Sequence, residues 1–192
     1  MFGKMSTNDI EIPVAIKPHD NIASALSEFC ITQHLISEGH IKPYQPLGFL
    51  SGRDSIYTLS AFEGDVVSCD TITDGTDIPK KIQKVLLVGA ATLAMLHKSG
   101  VAHGDAQIKN TAFSAKTGEE RAIYLTSSYF DKSGRGIIDD IHSYIGTLPD
   151  YISPTLGNKY IEEYFIDPYL SLVAGALSKK QQDSVHRVTN NL

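Results

Sequence analysis

His103-Gly104-Asp105-Ala106-Gln107-Ile108-Lys109-Asn110 is the stretch of this chain whose residue types and spacing could do chemistry. It is a His-x-Asp, then four residues, then an Asn, set between a helix-like apolar run and a β-prone segment. An Asp beside an incoming hydroxyl can orient it and take its proton. An Asn about one loop later can reach a metal ion bound to nucleotide phosphates, and phosphoryl transfer uses both groups. The same octet also reads as a His, an Asp and an Asn on an ordinary polar turn. The flanking sequence has to decide.

The elements that must position these residues follow from local pattern. Ile10–Lys17 is β-branched and apolar, which predicts a strand ended by Pro18. Asn21 or Ser24 can cap a helix through Ser37, and Gly39 stops it. Short strands are expected near 46–50 and 55–61, separated by a turn composition at Ser51-Gly52-Arg53-Asp54. Residues 66–79 are polar and rich in Gly and Asp, and read as a linker between an N-terminal unit (1–65) and a C-terminal unit (80–192). A long helix is expected over 80–98, with Ile82, Val85, Leu86, Gly89, Ala90, Leu93 and Leu96 on its buried stripe. After the octet, Thr111–Ser114 and Ala122–Thr126 read as a hairpin. Helices follow: one opened by Asp139 or Asp140 through about Leu148, one over 157–173 that Pro168 breaks or kinks, and one over 177–190. Strands first and helices after is an α+β order.

Composition bounds the rest. The chain has 192 residues, enough for one sizeable core or two small lobes sharing one. Its net charge of -5, with no basic run, does not favour a nucleic-acid surface. Cys30 and Cys69 lack metal or redox spacing, which predicts free, buried thiols in a reducing compartment. His19, His34, His40, His97, His142 and His186 form no metal spacing either. No stretch of about 18 apolar residues occurs, and the N-terminus lacks the order of a signal peptide. A cytoplasmic protein with neither membrane nor nucleic-acid partner is expected.

The octet, with its flanking order, resembles the catalytic loop of the protein-kinase-like superfamily, including aminoglycoside-phosphotransferase-like and atypical kinases. Val14-Ala15-Ile16-Lys17 resembles the strand whose Lys grips nucleotide phosphates, and Glu28 lies in the next helix where it could pair with Lys17. Residues 57–65 resemble the strand and hinge that contact adenine, which points to Ala61 and Glu63. The run Asp139-Asp140-Ile141-His142 resembles the helix whose Asp braces the catalytic loop, making Asp140 that residue. The resemblance implies a two-lobed fold, ATP and Mg²⁺ as cofactors, catalysis by Asp105, Asn110 and Lys17, and nucleotide contacts from Lys17, Glu28, Ala61 and Glu63.

The departures shape the expectation. Only 16 residues precede Lys17, and Gly3 is their one glycine, so the N-lobe is abbreviated and lacks a Gly-rich phosphate-covering loop. Ser127 aligns with the metal-binding Asp of such enzymes, and Asp131 is the nearby carboxylate that could stand in, so Asn110, Ser127 and Asp131 are the expected metal ligands. The segment from Ser127 to Asp140 is short for an activation loop. Two functions follow: an ATP-dependent phosphotransferase acting on a protein or small-molecule hydroxyl, or a pseudokinase serving as a nucleotide-binding regulatory module. A protein partner could complete the N-lobe. An unrelated α+β binding protein is the reading from outside this family.

Overall fold

The computed structural model describes residues 2–7, 10–39, 45–52, 55–61, 64–73, 78–148 and 154–189. It is an α+β structure. Strands β1 (Phe2–Thr7), β2 (Ile10–His19), β3 (Pro46–Ser51) and β4 (Ile56–Ala61) form one antiparallel sheet in the order β1-β2-β4-β3. Helix α1 (Ile22–Glu38) crosses between β2 and β3. Its ends are sequence-encoded: the Asn21 side chain accepts the Ser24 N–H at 2.9 Å, and Gly39 closes it in the left-handed region at φ 66°.

Two features of this sheet depart from the sequence reading. Pro18 does not end β2, which continues to His19. β1 pairs with β2 only over Ile10–Ala15, and β4 only over Val14–His19. Pro13 and Pro18 therefore each face a single neighbouring strand, where a missing N–H is tolerated. A strand, β1, also precedes the Lys17 strand; two residues separate it from β2.

The second half begins inside the expected linker. Residues Val66–Ser68 form β5, which pairs with β7 (Thr111–Ser114), and β7 pairs with β8 (Glu120–Ala122). A three-residue strand carries too little periodicity to stand out from a polar stretch. A 3₁₀ segment, Cys69–Thr73, leads toward α2 (Ile78–Lys98). β6 (Val101–Ala102) pairs with β9 (Tyr129–Phe130), closing the long excursion that contains the octet. The second hairpin strand stops at Ala122 rather than Thr126, because Tyr124 turns into the left-handed region at φ 59°.

Helix α3 spans Arg135–Gly146. Asp139 and Asp140 lie within it rather than opening it. The capping carboxylate is Asp131, which accepts the N–H groups of Ser133 (2.9 Å), Gly134 (3.0 Å) and Gly136 (2.8 Å). Helices α4 (Pro154–Ile161) and α5 (Asp167–Leu172) are joined by a wide π turn, Glu162–Ile166, in which the Asp167 N–H reaches back to Glu162 O. Pro168 sits in the first turn of α5, where a missing donor is tolerated, and the helical run continues through it. The last helix, α6, is Lys179–Thr189. Among the described residues no helix is long and apolar enough to cross a membrane. Cys69 is buried, but Cys30 lies exposed on α1, contrary to the expectation for both thiols.

The predicted stripe of α2 is the centre of the core: Val85, Leu86, Ala90, Leu93 and Leu96 are all buried. Ile31 and Leu35 of α1 belong to the same apolar cluster, which ties the sheet half to the helical half. Beside α2 runs a column of buried rings, with Tyr144 stacked on Phe165 at 5.3 Å and Phe165 on Tyr169 at 6.3 Å.

Gly89 lies under the Tyr144 ring, whose hydroxyl donates to Val85 O at 2.9 Å and fixes it there. A Cβ at position 89 would overlap that ring. In an open helix Gly→Ala stabilises by about 1 kcal/mol. Here overpacking dominates, and Gly89→Ala is expected to destabilise by about 1–3 kcal/mol, read as a lower urea midpoint. A raised midpoint would show that the ring can move aside.

Candidate functional site

The octet forms a fixed loop. His103 donates its backbone N–H to Asp140 Oδ2 at 2.5 Å, and Gly104 donates to Asp140 Oδ1 at 2.8 Å. Gly104 has φ 74°, and a Cβ there would collide with the carbonyl oxygen of Ser127. Only glycine fits both demands. The Ser128 hydroxyl donates to His103 O at 3.0 Å, so the loop is held from both sides.

Asp105 and Asn110 are brought together by this fold. Asn110 Nδ2 donates to the backbone O of Asp105 (2.7 Å) and to its Oδ2 (2.9 Å), and Gln107 Nε2 donates to Asp105 Oδ1 (2.6 Å). A 3₁₀ turn over Ile108–Asn110 buries Ile108 and Asn110 and sets this geometry. A carboxylate offers about four acceptor positions. Gln107 and Asn110 use two of them, which orients Asp105 and leaves it able to accept from a hydroxyl.

Asp140 has a further partner that the sequence did not disclose. His97 Nε2 lies 3.1 Å from Asp140 Oδ2, and His97 Nδ1 is hydrogen-bonded to the Tyr169 hydroxyl at 2.7 Å. An ionised Asp140 only accepts, so Nε2 is the nitrogen that carries the proton toward it. Burial, reinforced by the Asp140 charge, pushes the Tyr169 phenol far up, which keeps its O–H available to donate. A lone His at the end of an apolar helix carries no signal of this relay.

The second cluster comes from β2 and α1. Lys17 Nζ contacts both oxygens of Glu28, at 3.0 and 2.8 Å. Thr126 donates its hydroxyl to Glu28 Oε2 at 2.9 Å, and Lys17 Nζ lies 5.2 Å from the centroid of the Tyr124 ring. His19 is buried against the Thr58 hydroxyl, and burial first of all holds its imidazole below the ordinary value.

A cavity of about 630 Å³ lies beside the octet; Lys17 and Glu28 are not in its lining and touch it only through Tyr124 and Thr126, which are. Asp105, Asn110 and Lys109 line it from the loop, and Tyr124, Thr126 and Ser127 from the turn after β8. Ser68, Asp70 and Thr71 form the remaining polar wall. Asp70, Tyr124 and Thr126 were missed in the sequence, because nothing in a short polar segment or a strand end marks which side chains share a cleft. Ala61, expected at the adenine, ends β4 opposite Val14 and is not part of this lining. Glu63 lies outside the described residues.

The residues expected to hold Mg²⁺ fare unequally. Asn110 faces the cavity with its nitrogen already spent on Asp105, which leaves its carbonyl oxygen for a cation. Ser127 lines the cavity but is a neutral hydroxyl. Asp131 is not in the lining, and its carboxylate accepts from Ser133 N, Ser133 Oγ, Gly134 N and Gly136 N. Three of these bonds fall on Oδ1 and one on Oδ2, so the carboxylate is committed to the start of α3 and does not line the cavity. Among the described residues no group of three or more His, Cys, Asp and Glu is placed to hold a metal. The turn over 124–127 brings no carboxylate to the cavity; those in the lining are Asp70 and Asp105, and a nucleotide-bound Mg²⁺ takes one or two such ligands.

No protein-family model matches the sequence, and no curated protein matches it.

Burial pushes the His103 imidazole below its ordinary 6.5, and the charges of Asp140 and Asp105 pull it back only in part. As pH falls through about 6.5 an unfolded imidazole takes up a proton that the buried ring refuses. The unfolded state then binds more protons, so this stability is present above about pH 6.5 and is lost below it. The Tm of the protein is expected to fall between about pH 7 and pH 5, and to fall less steeply in His103→Gln. Parallel profiles for the two proteins would assign the loss to other groups.

Proposed function

We propose that this protein is an ATP-dependent phosphotransferase of atypical protein-kinase-like type, two-lobed with an abbreviated N-lobe, acting on a protein or small-molecule hydroxyl. One observation carries the reading. Thr126, which lines the cavity with Asp105 and Asn110, is hydrogen-bonded to Glu28 of the Lys17–Glu28 pair at the cavity's edge, and Asp140 fixes the backbone that carries Asp105.

In this reading the nucleotide phosphates meet the Lys17 ammonium, which neutralises part of their charge while Glu28 keeps it in place. The acceptor hydroxyl donates to Asp105. Its oxygen bonds to the γ-phosphorus, the bond from that phosphorus to the β-phosphate oxygen breaks, and ADP leaves. The hydroxyl proton passes to Asp105. Most of the catalysis is positioning, which accords with how tightly the loop is held.

A second reading is favoured by one observation of its own. The turn over 124–127 offers Tyr124, Thr126 and Ser127 to the cavity and no carboxylate. A nucleotide-binding module with little or no turnover, a pseudokinase, needs no more than that.

Turnover assays with ATP and Mg²⁺ against protein and small hydroxyl acceptors separate the two. For a transferase, Asp105→Asn is expected to lower kcat by about 10²-fold or more with nucleotide affinity nearly unchanged. Lys17→Ala is expected to weaken both. ATP binding that depends on Lys17, without phosphoryl transfer by the wild type, selects the pseudokinase. Affinity that is indifferent to Lys17→Ala would remove both readings.

A further inference from the structure

One short turn holds both members of the Lys17–Glu28 pair. The Thr126 hydroxyl donates to Glu28 Oε2, and the Tyr124 ring lies beside Lys17 Nζ. The turn is built on an unfavourable backbone. Tyr124 has φ 59° and ψ 53°, and among the described residues it is the one non-glycine with positive φ. Left-handed positions are taken by Gly, Asn or Asp far more readily than by an aromatic residue. Such a conformation persists where the surroundings over-determine it, and it gathers at functional sites.

The bend delivers a ring to Lys17 and, two residues on, a hydroxyl to Glu28. Both contacts are uncharged. A carboxylate at either position would compete with Glu28 for the ammonium and cancel its charge. The ring face attracts the cation without neutralising it. The hydroxyl fixes Glu28 with a third bond while both carboxylate oxygens stay on Lys17. Glu28 and Lys17 side chains are only 16% and 25% exposed, so neither has much freedom to leave.

We propose that Tyr124 and Thr126 are positioning residues that clamp the Lys17–Glu28 pair, the ring steadying the cation and the hydroxyl the carboxylate, so that the ammonium is presented to a nucleotide polyphosphate. The ligand in this statement rests on the phosphotransferase reading; the clamp itself belongs to the ligand-free chain.

The test uses the full chain and two readouts. The first is the rate at which an amine-reactive ester acylates Lys17 without nucleotide, followed by peptide mass spectrometry and normalised to Lys84 in the same sample. Thr126→Val is expected to raise that rate about threefold or more, the scale of one hydrogen bond, and Thr126→Ser to restore it. Tyr124→Gly removes the ring while relieving the left-handed strain, so it folds at least as well, and it too is expected to speed acylation. The second readout is ATP affinity by calorimetry, where Thr126→Val is expected to lose about fivefold and Thr126→Ser to recover it. Unchanged Lys17 acylation in both Thr126→Val and Tyr124→Gly overturns the clamp. Faster acylation in a protein whose wild type binds no ATP supports the clamp and removes the phosphotransferase reading instead.

Discussion

The Asp140 carboxylate is the constraint from which the geometry of the site follows. A charge buried in a protein interior costs several kcal/mol unless it is met by donors. Here the donors are the backbone N–H groups of His103 and Gly104 and the ring of His97. Moving the loop would strand that charge, so the loop inherits the rigidity of α3. The chain of contacts then runs outward through His97 to Tyr169 and into the stacked rings of Phe165 and Tyr144. Asp105 is positioned by the packing of the C-terminal helices as much as by its own neighbours.

Helix α1 does the corresponding work for the sheet half. Its inner side buries Ile31 and Leu35 in the core built on α2. His34 Nε2 contacts the carbonyl oxygen of Ser99 at 2.9 Å, and its ring meets Phe130 edge-on at 5.1 Å. Glu28, one to two turns earlier, is thereby held over the turn that carries Thr126. Lys17 is held beside the turn that carries Thr126 because its partner Glu28 is fastened to the helical half.

Much of this could be read from residues alone where the signal was local. The Asn21 cap, the Gly39 stop and the α2 stripe each rest on chemistry within a few residues of the feature. The spacing of Lys17 and Glu28 on adjacent elements was likewise legible, and the two lie in direct contact. What escaped was set by tertiary context. β5 is three residues long, β1 is six, and neither shows a period. Asp140 was legible as the residue that braces the loop, through the resemblance, but its place inside α3 was not, because an acidic residue also reads as a helix start. Its inward position depends on Asp131 capping α3 further upstream. Tyr124 gave no warning, since a left-handed aromatic is something no propensity predicts.

Asp105 and Asp131 show why the same residue type on neighbouring segments can play opposite parts. Asp131 receives four hydrogen bonds from Ser133, Gly134 and Gly136, three on Oδ1 and one on Oδ2. It caps the start of α3 and lies outside the cavity lining. Asp105 receives one bond on each side-chain oxygen, from Gln107 and Asn110. Those two bonds fix its direction, and the remaining positions face a polar cavity. A group that must take a proton needs both properties together, orientation by the protein and unfilled valence toward the substrate. What separates the two residues is where their carboxylates lie, Asp105 in the cavity wall and Asp131 against the start of α3.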